Sequence, residues 1–293
     1  MNKKAIYAVV ICALIAGTNG LLIKYVTSMT TGSIAWFRAI IPVLFILPVL
    51  SKGGMLHFKG NTKKVLIAST INAARMYLYL IAFIYTSIGN AVVLFYTYPL
   101  FVAAIETIHF KVKMKRSQTL FLLLAFVGIV ITYLGKPFSF ESDDFIGMMA
   151  AIGASIGYAI TVVIFKSETQ NYTKDQLIFF QNIVGAFVFL PFIVTLPEAK
   201  IEHLGTGVLY GFLIGIVVFK LFFFGLKHLT AATATSLMYL EVVSAILLGY
   251  FILDEKLTWN TLLGGGCIVI SSFYISRLMG KKSKAEQVNP EKI

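Results

Sequence analysis

SLMYLEVVSAILLGY (236–250) decides the fold. Fourteen of these fifteen residues suit lipid or a protein core, and one, Glu241, does not. The rest of the chain reads the same way. Of 293 residues, 58% are hydrophobic and 13% charged, and the mean hydropathy is +0.85. That leaves too little polar surface to coat a soluble domain of this length. Apolar runs of about 18 residues or more are long enough to cross a bilayer as helices, and they recur along nearly the whole sequence. The chain is therefore expected to be an all-α polytopic membrane protein, with the lipid bilayer as its surroundings. The net charge of +12 comes with no basic helix or aromatic-basic motif, so no nucleic-acid partner is expected.

Ten spans are expected, at about 5–24, 32–50, 65–86, 90–110, 117–135, 145–165, 176–196, 206–227, 231–252 and 259–278. The opening MNKKAIYAVVICALIAGTNG has the charge and apolar run of a signal peptide but no clear A-x-A site, so it is read as the first span. Connections are short. The tail KKSKAEQVNPEKI (281–293) is polar and expected to be disordered and cytoplasmic. With the N-terminus inside, eighteen Lys and Arg fall on the inner side, running from Lys3 and Lys4 through Lys59 and Lys113 to Lys292. Only Lys24, Lys136, Lys200 and Lys256 fall outside. This asymmetry places both termini in the cytoplasm.

The sequence also repeats itself at an offset of about 142 or 143 residues. IAWFRAIIPVLFILP (34–48) lies over IFFQNIVGAFVFLP (178–191), setting Arg38 on Gln181 and Pro48 on Pro191. NAVVLFYTYPLF (90–101) lies over TATSLMYLEVVS (233–244), setting Tyr96 on Tyr239 and Tyr98 on Glu241. Lys24 meets Lys166. Two five-helix halves are expected, 1–140 and 141–280. Because five is odd, the second enters the membrane from the opposite side. Such an inverted repeat is a recurrent design of secondary transporters, in which near-symmetric halves alternate access between the two faces.

Several stretches together resemble the EamA family of the drug/metabolite transporter superfamily, across essentially the full chain. They are ALIAGTNGLLIK, FRAIIP, AVVLFYTYPLF and YLEVVSAILLGYFILDEKLTWNTLLGGGCIVISS. The chain departs from the family where Ala16-Gly17 replaces a frequent Trp-Gly and Glu241-Val242 a frequent Glu-Pro. Lys111 and Val112 stand opposite Asp254 and Glu255, where a Glu-Arg often closes the fourth span. The resemblance implies a transporter of small organic metabolites in a bacterial inner membrane, with export of amino acids or related solutes as first choice. Uptake or exchange of a nucleotide-like or nucleoside-like metabolite is the alternative. Proton coupling and a homodimer are left open.

Ionisable residues inside spans need an explanation, since each costs roughly 2.5–3.5 kcal/mol on insertion scales. Arg75 in span 3, Lys220 in span 8 and Glu241 in span 9 fall near mid-membrane. Arg75 and Lys220 are candidates for binding an anionic or zwitterionic group, or for structural salt bridges. Glu241 is read as a proton carrier, a partner of a substrate amine or, the favoured reading, the counter-ion of Lys220 or Arg75. Tyr77, Tyr79, Tyr98 and Tyr239, with Tyr96 and Tyr158, lie within spans and are candidate cavity walls or packing residues. Asn19 and Asn72, with Thr18 and Ser69, could hydrate a pathway or bond helix to helix. Glu106, near His109 and Lys111, and Arg38, in the outer third of span 2 and able to snorkel outward, are assigned to a gate or interfacial ion pair. Glycines at 153 and 157, 211 and 215, and 264–266 are spaced for close helix packing.

No enzyme chemistry is expected. GASIG (153–157) matches G-x-S-x-G but sits inside an apolar helix rather than at a strand–helix turn. His57, His109, His203 and His228 make no zinc motif. There is no G-x-x-x-x-G-K-[ST], so neither ATP nor another cofactor is called for. Cys12 and Cys267 read as buried structural thiols, and NYT (171–173) falls on the inner side, where it is not read as a glycosylation site. A lipid-modifying membrane enzyme would need a nucleophile or metal cluster that the sequence lacks. A passive channel is disfavoured by the repeat.

Overall fold

A computed structural model describes residues 3–26, 28–53, 60–111, 114–134, 142–254 and 257–288. His57, Lys59, Val112, Lys113, Lys136, Glu255, Lys256 and Lys292 lie outside the described residues. Every regular element described is a helix. Seven helices are long and apolar enough to cross a membrane, and an eighth span is formed if Lys174–Val188 and Leu190–Leu196, bent by 64°, count as one. The other two expected spans fall on Arg116–Thr132, a 17-residue apolar helix, and on Trp259–Val288. The last helix runs on to Val288, so the backbone of 281–288 is helical where the sequence led us to expect disorder.

Several spans are not continuous. Span 1 is Lys3–Ala16 followed by Thr18–Lys24, and span 4 is Ile88–Phe95 followed by Tyr98–Phe110. Span 9 is Ala231–Leu237 followed by Leu240–Leu253. Span 8 begins as Ile201–Phe212, passes through a π-helical stretch at Leu213–Val218 and ends as Phe219–His228. Spans 2, 3 and 6 are single helices, Thr31–Lys52, Thr62–Tyr85 and Ser142–Glu168.

Local chemistry starts and stops these helices at positions 143 residues apart. Thr30 caps span 2 by accepting the Ser33 amide, and Thr173 caps span 7 by accepting that of Gln176. Ser87 caps span 4 through Asn90, and Thr230 caps span 9 through Thr233. Each such cap satisfies an orphan helix-start amide and contributes about 1 kcal/mol. Spans 4 and 9 then end on left-handed residues, Lys111 (φ 56°) and Asp254 (φ 53°), the two non-glycine residues with positive φ among those described.

The interior is apolar and tightly packed, and glycine lets backbones meet where no side chain would fit. A Cβ placed on Gly264 of span 10 would lie 2.3 Å from the Gly128 carbonyl of span 5. One on Gly17 would lie 2.4 Å from the Ser244 Cβ of span 9, beside a hydrogen bond of 2.6 Å from the Ser244 hydroxyl to the Leu14 carbonyl. Span 3 packs on span 6, span 2 on span 7 and span 5 on span 10.

Candidate functional site

Spans 4 and 9 place their breaks against each other. The Tyr239 hydroxyl donates to the Tyr96 carbonyl at 3.0 Å, and the Tyr96 hydroxyl donates to the Glu241 carboxylate. The Tyr96 and Tyr239 rings lie 6.2 Å apart. Thr97, at the first break, turns its hydroxyl back onto the Leu94 carbonyl at 2.6 Å and shares a bond of 2.8 Å with Ser155 of span 6. Pro99 in the first turn of Tyr98–Phe110 fits this restart, but span 9 breaks without proline.

An aromatic cluster continues from this crossing. Tyr79 contacts Phe95 (4.5 Å between centroids), Phe95 contacts Tyr98 (5.4 Å) and stacks on Tyr158 (5.9 Å), and Tyr98 meets Tyr158 edge-on at 4.8 Å. The Arg75 guanidinium lies over the Tyr158 ring, 4.4 Å from its centroid. Its Nε donates to the Asn72 side chain at 3.1 Å, and Asn72 is anchored through its own amide to the Gln181 carbonyl at 3.1 Å. Arg38 joins from span 2, donating to the Met76 sulfur at 2.9 Å with its Cζ 5.5 Å from the Phe219 ring centroid.

The structure therefore brings together Arg75, Asn72, Tyr79, Tyr98, Tyr239 and Glu241 of the expected site. It redirects several others. Tyr77 is 52% exposed: at 100° per residue it lies on the opposite side of span 3 from Arg75 and Tyr79, which share a face as i and i+4. Lys220 forms an ion pair of 3.0 Å with Asp175 and is 42% exposed. It is the counter-ion of neither Glu241 nor any other central group, because its long stem carries the ammonium to the start of span 7. The charge that reaches Glu241 is that of Arg38. Arg38 does not snorkel outward, since Met76 and Phe219 hold it inward. Asn19 lies in the short helix Thr18–Lys24, and its buried Oδ1 has no hydrogen-bond partner among the described residues. Among the other polar residues, Ser69 bonds the Phe180 carbonyl and Thr18 the Ile15 carbonyl.

Glu106 caps a helix. Its two carboxylate oxygens accept the Ala231 and Ala232 amides, each at 2.8 Å, at the start of span 9. Lys166 sits close enough for its charge to act on Glu106 and donates to the Leu226 carbonyl at 2.6 Å. The turn between spans 8 and 9 is thus pinned from both sides. Cavities of about 420 and 440 Å³ open around Lys227 and His228 near this turn; they are lined by neither arginine nor Glu241, and we place the site by its buried charges instead.

Sequence reasoning named Arg38 but set it at a gate or facing outward rather than toward Arg75, and it missed Tyr210. One signal was available: Arg38 and Gln181 are polar residues at matching positions of otherwise apolar spans, as an inward-facing layer would produce. Tyr210, buried and within electrostatic reach of Arg75, carried no such mark.

Broken helices meeting around a buried and a half-buried arginine, tyrosines and a glutamate, inside a multi-pass helical bundle, fit a membrane transporter. The model of the EamA-like transporter family matches residues 3–134 and again 145–277, and the chain belongs to that family. It is 25% identical to solute carrier family 35 member G1 of Mus musculus over 282 residues, covering 91% of this chain and 76% of that protein. It is also 25% identical to the S-adenosylmethionine uptake transporter of Rickettsia bellii over 285 residues, covering 91% and 92%. A solved crystal structure with 14% identity superposes with a TM-score of 0.81, over 96% of this chain and 99% of the other, a likeness of fold alone.

Proposed function

We propose that this family member is a secondary transporter of ten spans, built as two inverted five-helix halves and working by alternating access in a bacterial inner membrane. The observation that carries the reading is the meeting of spans 4 and 9 at their breaks, tied by the Tyr239 hydroxyl on the Tyr96 carbonyl. Discontinuous helices expose backbone and side-chain polar groups where a solute can reach them, deep in the membrane. The caps and left-handed ends recurring 143 residues apart, and the breaks 142 apart, support two equivalent halves, as does the double match of the family model. Near-equivalent halves can exchange conformations, opening the centre to one face and then the other.

The first-choice cargo is an amino acid or related small metabolite, moved outward. A second reading, uptake of a nucleoside-like metabolite, is favoured by the likeness to the Rickettsia bellii uptake transporter. Purified protein in liposomes, loaded with unlabelled solute and offered labelled amino acids or nucleotides with and without a pH gradient, tests the proposal. Saturable counterflow of a solute is expected; absence of flux for every solute overturns it. Proton coupling through Glu241 predicts that Glu241→Gln abolishes pH-driven accumulation while exchange persists. Equal loss of both modes would assign Glu241 a structural role.

A further inference from the structure

The two central arginines are held only by weak partners. Arg75 is 6% exposed. Among the described residues its guanidinium makes one hydrogen bond, to Asn72, and otherwise rests on the Tyr158 ring. Arg38 faces a thioether and an aromatic ring. Neither forms an ion pair with a described carboxylate, and their charges are close enough to repel each other. Glu241, the anion within reach of Arg38, already accepts the Tyr96 hydroxyl.

Two like charges in a low-dielectric interior are strongly unfavourable unless an anion joins them. A ring face and a sulfur compensate only a small part of that cost. The positions are also built rather than incidental. Asn72, itself anchored to span 7, fixes the Arg75 Nε, and Gly157 of span 6 lets the Arg75 backbone approach: a Cβ there would lie 2.9 Å from the Arg75 Cβ. Guanidinium is the side-chain group whose donors match a planar carboxylate or a phosphate in a two-pronged fashion.

We propose that the transported solute carries an oxyanion, a carboxylate or a phosphate, that bridges Arg38 and Arg75. This deepens the transport reading and rests on it. Glu241, within electrostatic reach of Arg38, suits a cationic group of the same solute. An amino-acid-like zwitterion therefore meets both signs of charge in one site.

Matched ligand pairs test this on the full-length protein purified in detergent, with thermal unfolding as the readout. The pairs are leucine against leucinamide, AMP against adenosine, and acetate against acetamide at high concentration. At least one oxyanion is expected to raise the melting temperature by a few degrees while its uncharged or amide mate does not. A response to leucine or acetate identifies the carboxylate, and a response to AMP alone identifies the phosphate. Arg38→Gln and Arg75→Gln should each lose the shift. If the glutamine variants do not fold, Arg38→Lys and Arg75→Lys decide: they keep the charge, lose the fork, and should show a weakened shift. Equal stabilisation by both members of every pair, no response to any oxyanion, or an unaltered shift in the arginine variants would overturn the clamp. Counterflow of an uncharged solute in liposomes would then leave the transport reading standing, whereas absence of all flux would remove it.

Discussion

Spans 4 and 9 begin alike, break alike and end alike, yet they carry their charges in different places. Each opens on a hydroxyl cap, Ser87 or Thr230, and breaks after about two turns, at Tyr96–Thr97 or Met238–Tyr239. Each closes on a left-handed residue, Lys111 or Asp254. The backbone plan is common to both, and the side chains are where they part. Glu241 receives the Tyr96 hydroxyl, while its counterpart Tyr98 sits in the aromatic cluster. Glu106 pins the start of span 9, while its counterpart Gly249 offers no side chain to pin the start of span 4. The shared features give the two spans one backbone frame; the unshared carboxylates distinguish one end of the pair from the other.

The largest effect should come from cutting the pin. Glu106→Ala should destabilise the protein by about 3 kcal/mol or more, since two buried amides lose their acceptor at roughly 1–3 kcal/mol each. Thermal unfolding in detergent would show a drop of several degrees, and an unchanged melting temperature would remove Glu106 from this role. Packing between spans 5 and 10 comes next. Gly264→Ala, which overlaps the Gly128 carbonyl and the Thr132 hydroxyl, should cost about 1–3 kcal/mol, whereas nothing lies within 4 Å of a Cβ on neighbouring Gly265. Equal melting temperatures for the two alanine variants would contradict the close approach.

Smaller effects separate the two tyrosines. Tyr239→Phe removes one hydrogen bond to a backbone carbonyl and should cost about 1 kcal/mol, with little change in the pH dependence of transport. Tyr96→Phe should cost a similar amount of stability but also shift that pH dependence, because it strips Glu241 of its donor. Indistinguishable pH profiles would show that the asymmetry at the crossing has no functional consequence. The smallest effect belongs to Lys220→Ala. Its ion pair with Asp175 is partly exposed, and such pairs contribute about 0–1 kcal/mol. Transport should be nearly unaffected, and a large loss of flux would return Lys220 to the pathway.

Position along a helix was legible from the sequence, and direction around the helix was not. Arg75 and Glu241 could be placed within their helices by counting residues, because rise per residue is fixed. Which way a side chain points depends on which neighbour the helix packs against. That separates Tyr77, facing outward, from Tyr79, facing the centre, although both are tyrosines at nearly the same depth. It also turns Arg38 inward and Lys220 toward Asp175. The helix breaks were hidden for another reason. Hydropathy stays high through LFYTYPLF and LMYLEVVS despite Thr97 and Glu241, so it reports one span in each case, and only Pro99 marks the first interruption. The repeat rests on an alignment over several spans, which averages over such local ambiguities.

Alternation between the two ends of spans 4 and 9 is the central claim, and paired spin labels read it directly. One pair joins Ile108 of span 4 to His228, just before the start of span 9 and beside the Glu106 pin, and the other joins Tyr85, just before the start of span 4, to Phe251 near the end of span 9, all at exposed positions. Double electron–electron resonance on the protein in liposomes should show the distance in one pair lengthening as the other shortens when transported solute is added. Distances that stay fixed in both pairs, or lengthen together, would contradict alternating access through these two broken spans.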